Sequence, residues 1–158
     1  MSEVTLREVE DGDLDALFDQ MRDPEGVWMA AFTAENPDDR AYFDAHMAQV
    51  RAAPDVTHRT IVRDGQVVGH VASFPGDDGE LEVTYGVDRA VWGRGVASQA
   101  LALLLKEVTA RPLHARAASD NLGSLRVLEK AGFRVIGTER SFARARQAEI
   151  EETVLRLD

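Results

Sequence analysis

The sequence predicts an α+β fold, with a mixed, mostly antiparallel sheet flanked by helices. Three observations predict it. Short segments with strand-like alternation form a meander in the first half of the chain and close it at the end. Two later segments carry apolar residues at helical spacing. A strand–helix–strand stretch around 94–109 is the one place where a parallel pairing is expected.

Taken in order, 4–9 alternates like a strand, and Asp11-Gly12-Asp13 supplies cap-like residues for a short helix to about Arg22. Asp23-Pro24-Glu25-Gly26 reads as a break. The segment from there to Asn36-Pro37 reads as irregular, although it carries Trp28, Met29 and Phe32. A helix over 38–52 follows, with Phe43, Met47 and Val50 on one face. Strands at 58–63 and 66–74 flank Asp64-Gly65, a strong short-hairpin signal. A third strand, 80–88, comes after the polar turn Gly76-Asp77-Asp78-Gly79. The helix over 94–109 has a broad apolar stripe of Val96, Ala100, Leu101, Leu104, Leu105 and Val108. Pro112 opens a strand at 113–117. Asp120 or Asn121 caps a helix to Ala131, where Gly132 is placed as the C′ residue. Strands at 133–144 and 148–157 finish the chain. Nothing reads as a linker, repeat or low-complexity segment, so residues 1–158 are expected to form one domain.

Composition narrows the function. The 158 residues are 44% hydrophobic, enough to bury a core without staples. With no cysteine, disulfides, thiolate metal sites and thiol-bound acyl intermediates are excluded. His46, His58, His70 and His114 show no ligand spacing, so no metal is expected. The net charge of −10, without a polybasic run, disfavours nucleic acid and anionic membrane as partners. No run of about 18 apolar residues suggests a membrane span. Met1-Ser2-Glu3-Val4-Thr5 does not read as a secretory signal, and a cytoplasmic protein is expected.

Chemistry concentrates in Val87-Asp88-Arg89-Ala90-Val91-Trp92-Gly93-Arg94-Gly95-Val96-Ala97-Ser98, where a strand ends, a glycine-bearing turn follows and a helix begins. The first turn of a helix carries unsatisfied N–H groups and partial positive charge, which together suit an anion. Gly93 and Gly95 let a phosphate approach the backbone, or simply make a tight turn. Arg94 either adds a charged contact or faces solvent. The spacing Gly93-x-Gly95-x-x-Ser98 lacks the third glycine of a dinucleotide fingerprint and follows a meander, which argues against that fold.

Trp92-Gly93-Arg94-Gly95-Val96-Ala97-Ser98 resembles the acetyl-CoA loop of the GNAT family of N-acetyltransferases. Asn121-Leu122-Gly123-Ser124-Leu125-Arg126-Val127-Leu128-Glu129-Lys130-Ala131-Gly132-Phe133 resembles the family's second motif, in the form typical of the branch that holds the ribosomal-protein N-terminal alanine acetyltransferases. The order of elements fits that family's fold over nearly the whole chain. The resemblance implies acetyl-CoA as co-substrate and an amine as acceptor. It also implies that backbone groups of Val87 and its neighbours Asp88 and Arg89 pair with the pantetheine amides. The N–H groups from Arg94 to Ser98 would hold the diphosphate, and Asn121 would bond the pantetheine arm, while the residue type of Asn121 also suits an N-cap. Trp92 stands where the wider family often has Gln or Arg, and Leu128 where many members carry a tyrosine acid. Ser124 becomes the substitute candidate, unless its hydroxyl bonds back to a helix carbonyl.

Amide formation needs a base for the ammonium. Strand alternation puts Glu80, Glu82, Thr84 and Gly86 on one face and Tyr85 on the other, in the core. The resemblance points to Glu82 as the base, directly or through water, with Glu80 close enough to be confused with it. His70 is a second candidate base or a structural histidine. Trp28, Met29 and Phe32 form either an acceptor-pocket wall or a small lid. The expected reaction is direct attack of the amine on the thioester. A non-catalytic acyl-CoA sensor, indifferent to Glu82, and an interaction module that keeps only the fold are the rivals. The closing strands can pair across a homodimer.

Overall fold

The computed structural model describes residues 3–32 and 36–158. Among the described residues seven strands form one sheet in the order β1-β2-β3-β4-β5-β7-β6. They are β1 (Val4–Glu8), β2 (Thr57–Arg63), β3 (Gln66–Pro75), β4 (Leu81–Val87), β5 (Leu113–Ala118), β6 (Arg134–Ala143) and β7 (Ala148–Leu157). All recorded pairings are antiparallel except β4 with β5. The Asp64-Gly65 turn has both residues at positive φ, 53° and 75°, the pair that matches the twist of a tight hairpin.

The helices are α1 (Leu14–Met21), α2 (Pro24–Ala30), α3 (Arg40–Ala52), α4 (Val96–Glu107) and α5 (Leu122–Lys130). None among the described residues is long and apolar enough to cross a membrane. Thr60 bonds Asp13 at the head of α1, whereas Ile61 joins the cluster under α4. Adjacent strand residues point to opposite faces, so α1 and α4 lie on opposite sides of the sheet. The main core lies on the α4 side. Val96, Ala100, Leu101 and Leu104 pack there against Val71, Val83, Leu113 and Leu155, with Leu128 of α5. A smaller cluster of Leu17, Phe18, Phe43 and Met47 joins α1 to α3 on the other side.

The helix ends follow local chemistry. Gly132, at φ 104°, closes α5 with its N–H on the Glu129 carbonyl and the Phe133 N–H on the Leu128 carbonyl. That pair of bonds is a Schellman motif. The reading of 24–26 as a break and of 27–30 as irregular is corrected, while 31–32 are irregular as expected: Asp23-Pro24 ends α1 and also begins α2. The Asp23 side chain accepts the Gly26 N–H at 3.0 Å, and Pro24 sits at the first helical position, where its missing N–H costs nothing. The part of that reading on 33–35 lies outside the described residues.

One polar hub fixes β1, β2 and the start of α1. The buried Asp13 carboxylate accepts from Arg7 Nη1 at 2.6 Å, Arg7 Nη2 at 2.7 Å, the Glu10 N–H at 2.9 Å and Thr60 Oγ1 at 2.9 Å. Those bonds, the Arg7 pair foremost, hold its pKa at about 2 against burial. A depressed carboxylate contributes stability above its unfolded value of 3.8 and loses it as pH falls through about 2. Asp13→Ala is therefore expected to lower the unfolding free energy by about 2 kcal/mol at neutral pH. In urea titrations the deficit against wild type should narrow between about pH 4 and pH 2.

Candidate active site

The turn from β4 to α4 is built on two left-handed glycines. Gly93 has φ 77° and Gly95 φ 76°. Gly95 is the N-cap of α4 and offers no side-chain bond, so no cap takes the first-turn N–H groups of Val96, Ala97 and Ser98. The Gln99 N–H returns to the Gly95 carbonyl at 3.1 Å, which leaves those three as the open donors. No Cβ stands over this turn at Gly93 or Gly95. Arg94 is exposed and has no hydrogen bond or ion pair among the described residues.

The neighbouring side chains hold the turn in place. Trp92 Nε1 donates to the Val87 carbonyl at 2.8 Å. Asp88 accepts the Ala90 N–H at 3.0 Å. Arg89 is ion-paired with Glu25 at 2.7 Å and Asp23 at 3.2 Å, tying the turn to α2. Expected on sequence grounds beside a cofactor, these three side chains are used here to anchor the loop. The free groups of the turn are the first-turn backbone N–H groups and the Arg94 side chain.

Beside the turn the sheet is split. β4 and β5 share one registered pair, Glu82 with His114, and no ladder beyond it. The Asp88 N–H bonds the Val68 carbonyl at 2.7 Å, so even-numbered β4 residues turn their backbone groups toward β3. The backbone groups of Tyr85 and Val87 therefore point toward the split. Across it lies the start of α5. Asn121 caps that helix by accepting the Ser124 N–H at 3.2 Å, and its Nδ2 donates to the Met29 carbonyl at 3.3 Å. Ser124 Oγ is 2.7 Å from Tyr85 Oη. Leu128 is buried in the core.

On the opposite face of β4, Glu82 is half-buried beside Arg116, whose Nε is 3.6 Å from Oε1. Arg116 also meets Glu139 at 2.6 Å and Glu152 at 3.4 Å, so one guanidinium serves three carboxylates. Burial raises the Glu82 pKa, and the Arg116 charge only partly opposes it. Gly76 allows this placement, since a methyl there would overlap the Glu82 carboxylate. Glu80, by contrast, is exposed in the turn before β4. The two acids that the sequence left in competition are thus separated by burial. His70 lies opposite Gly86, whose missing Cβ makes room for the imidazole. Burial pushes His70 down to about 3 and His58 to about 4, so both stay neutral and weakly basic at ordinary pH.

Trp28 and Met29 sit on α2, Trp28 against the turn between β6 and β7 and Met29 with its carbonyl on Asn121. The Arg146 guanidinium covers the Trp28 ring at 4.7 Å, donates to the Trp28 carbonyl at 2.8 Å and pairs with Asp120 at 2.6 Å. Phe32 packs on Ala31, Ala118 and Ala143. The sequence reading missed Arg116, Arg146 and the Tyr85 hydroxyl. Alternation along β5 from His114 would have placed Arg116 on the Glu82 face, whereas the other two meet their partners only through the tertiary fold. Arg116→Met should raise the Glu82 midpoint above wild type, because the charge that opposes burial is lost. Carboxyl-carbon NMR titration of Glu82 measures this.

Residues 3–134 match the family profile described as Acetyltransferase (GNAT) domain. No curated protein sequence matches the chain. Among solved structures, a ribosomal-protein-alanine N-acetyltransferase from Brucella melitensis superposes with a TM-score of 0.83 at 20% identity, over 97% of this chain and 98% of that one. Mycobacterium smegmatis RimJ, in complex with CoA-disulfide, gives 0.82 at 21% identity over 98% and 81%. A phosphinothricin acetyltransferase from Sinorhizobium meliloti, in complex with acetyl-CoA, gives 0.82 at 17% over 98% and 87%.

Proposed function

Because the chain belongs to the GNAT acetyltransferase family, we propose that it moves an acetyl group from acetyl-CoA to a primary amine by direct attack, within one cytoplasmic domain spanning 1–158. The observation that carries this reading is an open row of helix N–H groups at the mouth of a split sheet. The N–H groups of Val96, Ala97 and Ser98, with the backbone at Arg94 and Gly95, suit a diphosphate. The Tyr85 backbone and the Val87 N–H face the split and suit the amides of an extended pantetheine chain, as an added strand would be held. The Val87 carbonyl already accepts from Trp92, so it is the less available group on that edge.

In this reading the amine attacks the thioester carbonyl while a backbone N–H at or beside Val87 stabilises the oxyanion. Glu82 takes the proton from the ammonium. Three residues of strand, about 10 Å, separate Glu82 from Tyr85, so the proton passes through water. A raised Glu82 pKa brings the base closer to the working pH. Much of the rate comes from holding both reactants in place. The Asn121 Nδ2 group has a second hydrogen to offer the cofactor arm while it caps and ties α2.

The acceptor class stays at primary amine, since the similar structures act on acceptors as different as a ribosomal protein's alanine and phosphinothricin. The acidic chain suits a cationic acceptor and disfavours nucleic acid. A homodimer would form through β6, the sheet-edge strand, where Val135, Ile136 and Phe142 are exposed.

Turnover of acetyl-CoA with a panel of amines tests the reading. The rate should rise with pH through a group above the ordinary glutamate range, and Glu82→Gln should lower kcat/KM by about 100-fold and remove that limb. Equal, measurable rates for wild type and Glu82→Gln at every pH would exclude Glu82 as base, whereas a wild type that binds CoA and turns nothing over would favour a CoA sensor. Gly95→Ala places a Cβ on a left-handed residue and should weaken CoA binding about tenfold in calorimetry.

A further inference from the structure

Two hydroxyls meet where β4 faces α5. Tyr85 Oη lies 2.7 Å from Ser124 Oγ and 3.2 Å from the Ser124 carbonyl. The tyrosine ring packs against the core cluster under α4 and α5, which fixes its direction. Its hydroxyl stays protonated, because burial pushes it up to about 12. Ser124 is on the first turn of α5 and only partly buried. Tyr85 also turns its backbone groups to the split, so the same residue borders that edge with its main chain and reaches across to α5 with its side chain.

The geometry points to Tyr85 as a positioning residue that fixes the Ser124 hydroxyl and so presents its hydrogen to the thiolate that leaves as the amide forms. This rests on the acyl-transfer reading above and adds the leaving-group side of the same site. A lone helix serine spends its hydrogen on a carbonyl one turn back. The 2.7 Å contact lets either hydroxyl donate; in the proposed arrangement Tyr85 gives its one hydrogen to Oγ and not to the Ser124 carbonyl, which fills one lone pair and leaves the serine hydrogen free to turn to the split. The donor is then set before charge develops, which is where such a bond contributes most. The step balances without a new acid. The C–N bond forms as the C–S bond breaks, and the electron pair stays on sulfur. Two protons leave the nitrogen: Glu82 takes the ammonium proton and passes it through water to solvent before attack, then takes the proton shed as the amide forms, while Ser124 and Tyr85 keep theirs and donate hydrogen bonds only. The thiolate is protonated afterwards from solvent.

The test compares CoA with desulfo-CoA by calorimetry between about pH 6 and pH 9, in wild type, Tyr85→Phe, Ser124→Ala and the double variant, alongside kcat and KM. Wild type should prefer CoA increasingly as pH rises, by about tenfold over the range, because the site stabilises the thiolate. Tyr85→Phe should flatten that preference and lower kcat about tenfold, with KM for acetyl-CoA within about twofold. The double variant should be no slower than Ser124→Ala alone. The inference is overturned if Tyr85→Phe keeps the wild-type pH preference and kcat, if its effect falls only on KM, or if the two losses simply add. Should Tyr85→Phe fail to fold, a flat wild-type preference or an unchanged Ser124→Ala overturns it equally. Wild type that binds no CoA sinks the acyl-transfer reading itself, whereas wild type that acetylates amines with a flat preference sinks only the role of Tyr85.

Discussion

A sheet ladder that stops after one pair is the constraint on which the rest depends. β4 and β5 meet at Glu82 and His114 and share no further register, although five residues of β4 continue. Backbone N–H and C=O groups left without a strand partner must find another partner or water. Here they border an open edge in the middle of a seven-stranded sheet, where an extended ligand can act as the missing strand. The parallel connection through α4 produces this arrangement. The helix that joins the two diverging strands also begins at the mouth of the gap, so its free N–H groups lie at one end of the open edge.

The pleat of β4 then divides the chemistry between two faces. Tyr85 goes to the α4 and α5 side, where its hydroxyl meets Ser124. Glu82 goes to the other side, where it is half-buried against Arg116 in space that exists only because Gly76 has no side chain. In the proposed reading the base Glu82 and Tyr85, which orients the Ser124 donor of α5, come from one strand because its pleat sends them to opposite faces. The loop's polar side chains play the supporting part. Trp92, Asp88 and Arg89 pin the turn to β4 and α2, which keeps the first turn of α4 aimed at the gap. α2 is held in turn by Asn121 and Arg146, so it is clamped to the start of α5 and to the turn between β6 and β7.

The sequence made much of this legible, and the reasons for the rest are physical. Helix α4 was readable because its apolar stripe has one period and one face, and α5 because Asn121 and Gly132 are strong end signals. Glycines at 93 and 95 announced a special turn, and both do take positive φ. α2 was missed because Asp-Pro stops a helix when read from its N-terminal side and starts one when read from the other. Tyr85 was assigned to the core from alternation, which is right for its ring. Alternation says nothing about where a hydroxyl at the end of that ring lands. Glu80 and Glu82 share a strand face in sequence, and only the end of β4 at Leu81 decides that one is in the turn and the other under Arg116. Arg146 sits 118 residues from its Trp28 partner, a separation that no local pattern spans.

Hydrogen exchange followed residue by residue, with and without saturating CoA, tests the central claim most directly. The amides of Val96, Ala97, Ser98 and Val87 should exchange freely in the unliganded protein and slow by at least about tenfold when CoA is added, while those of β1 and β2 stay unchanged. Exchange at these four amides that is indifferent to CoA, in protein shown by its β1 and β2 protection to be folded, would contradict the account.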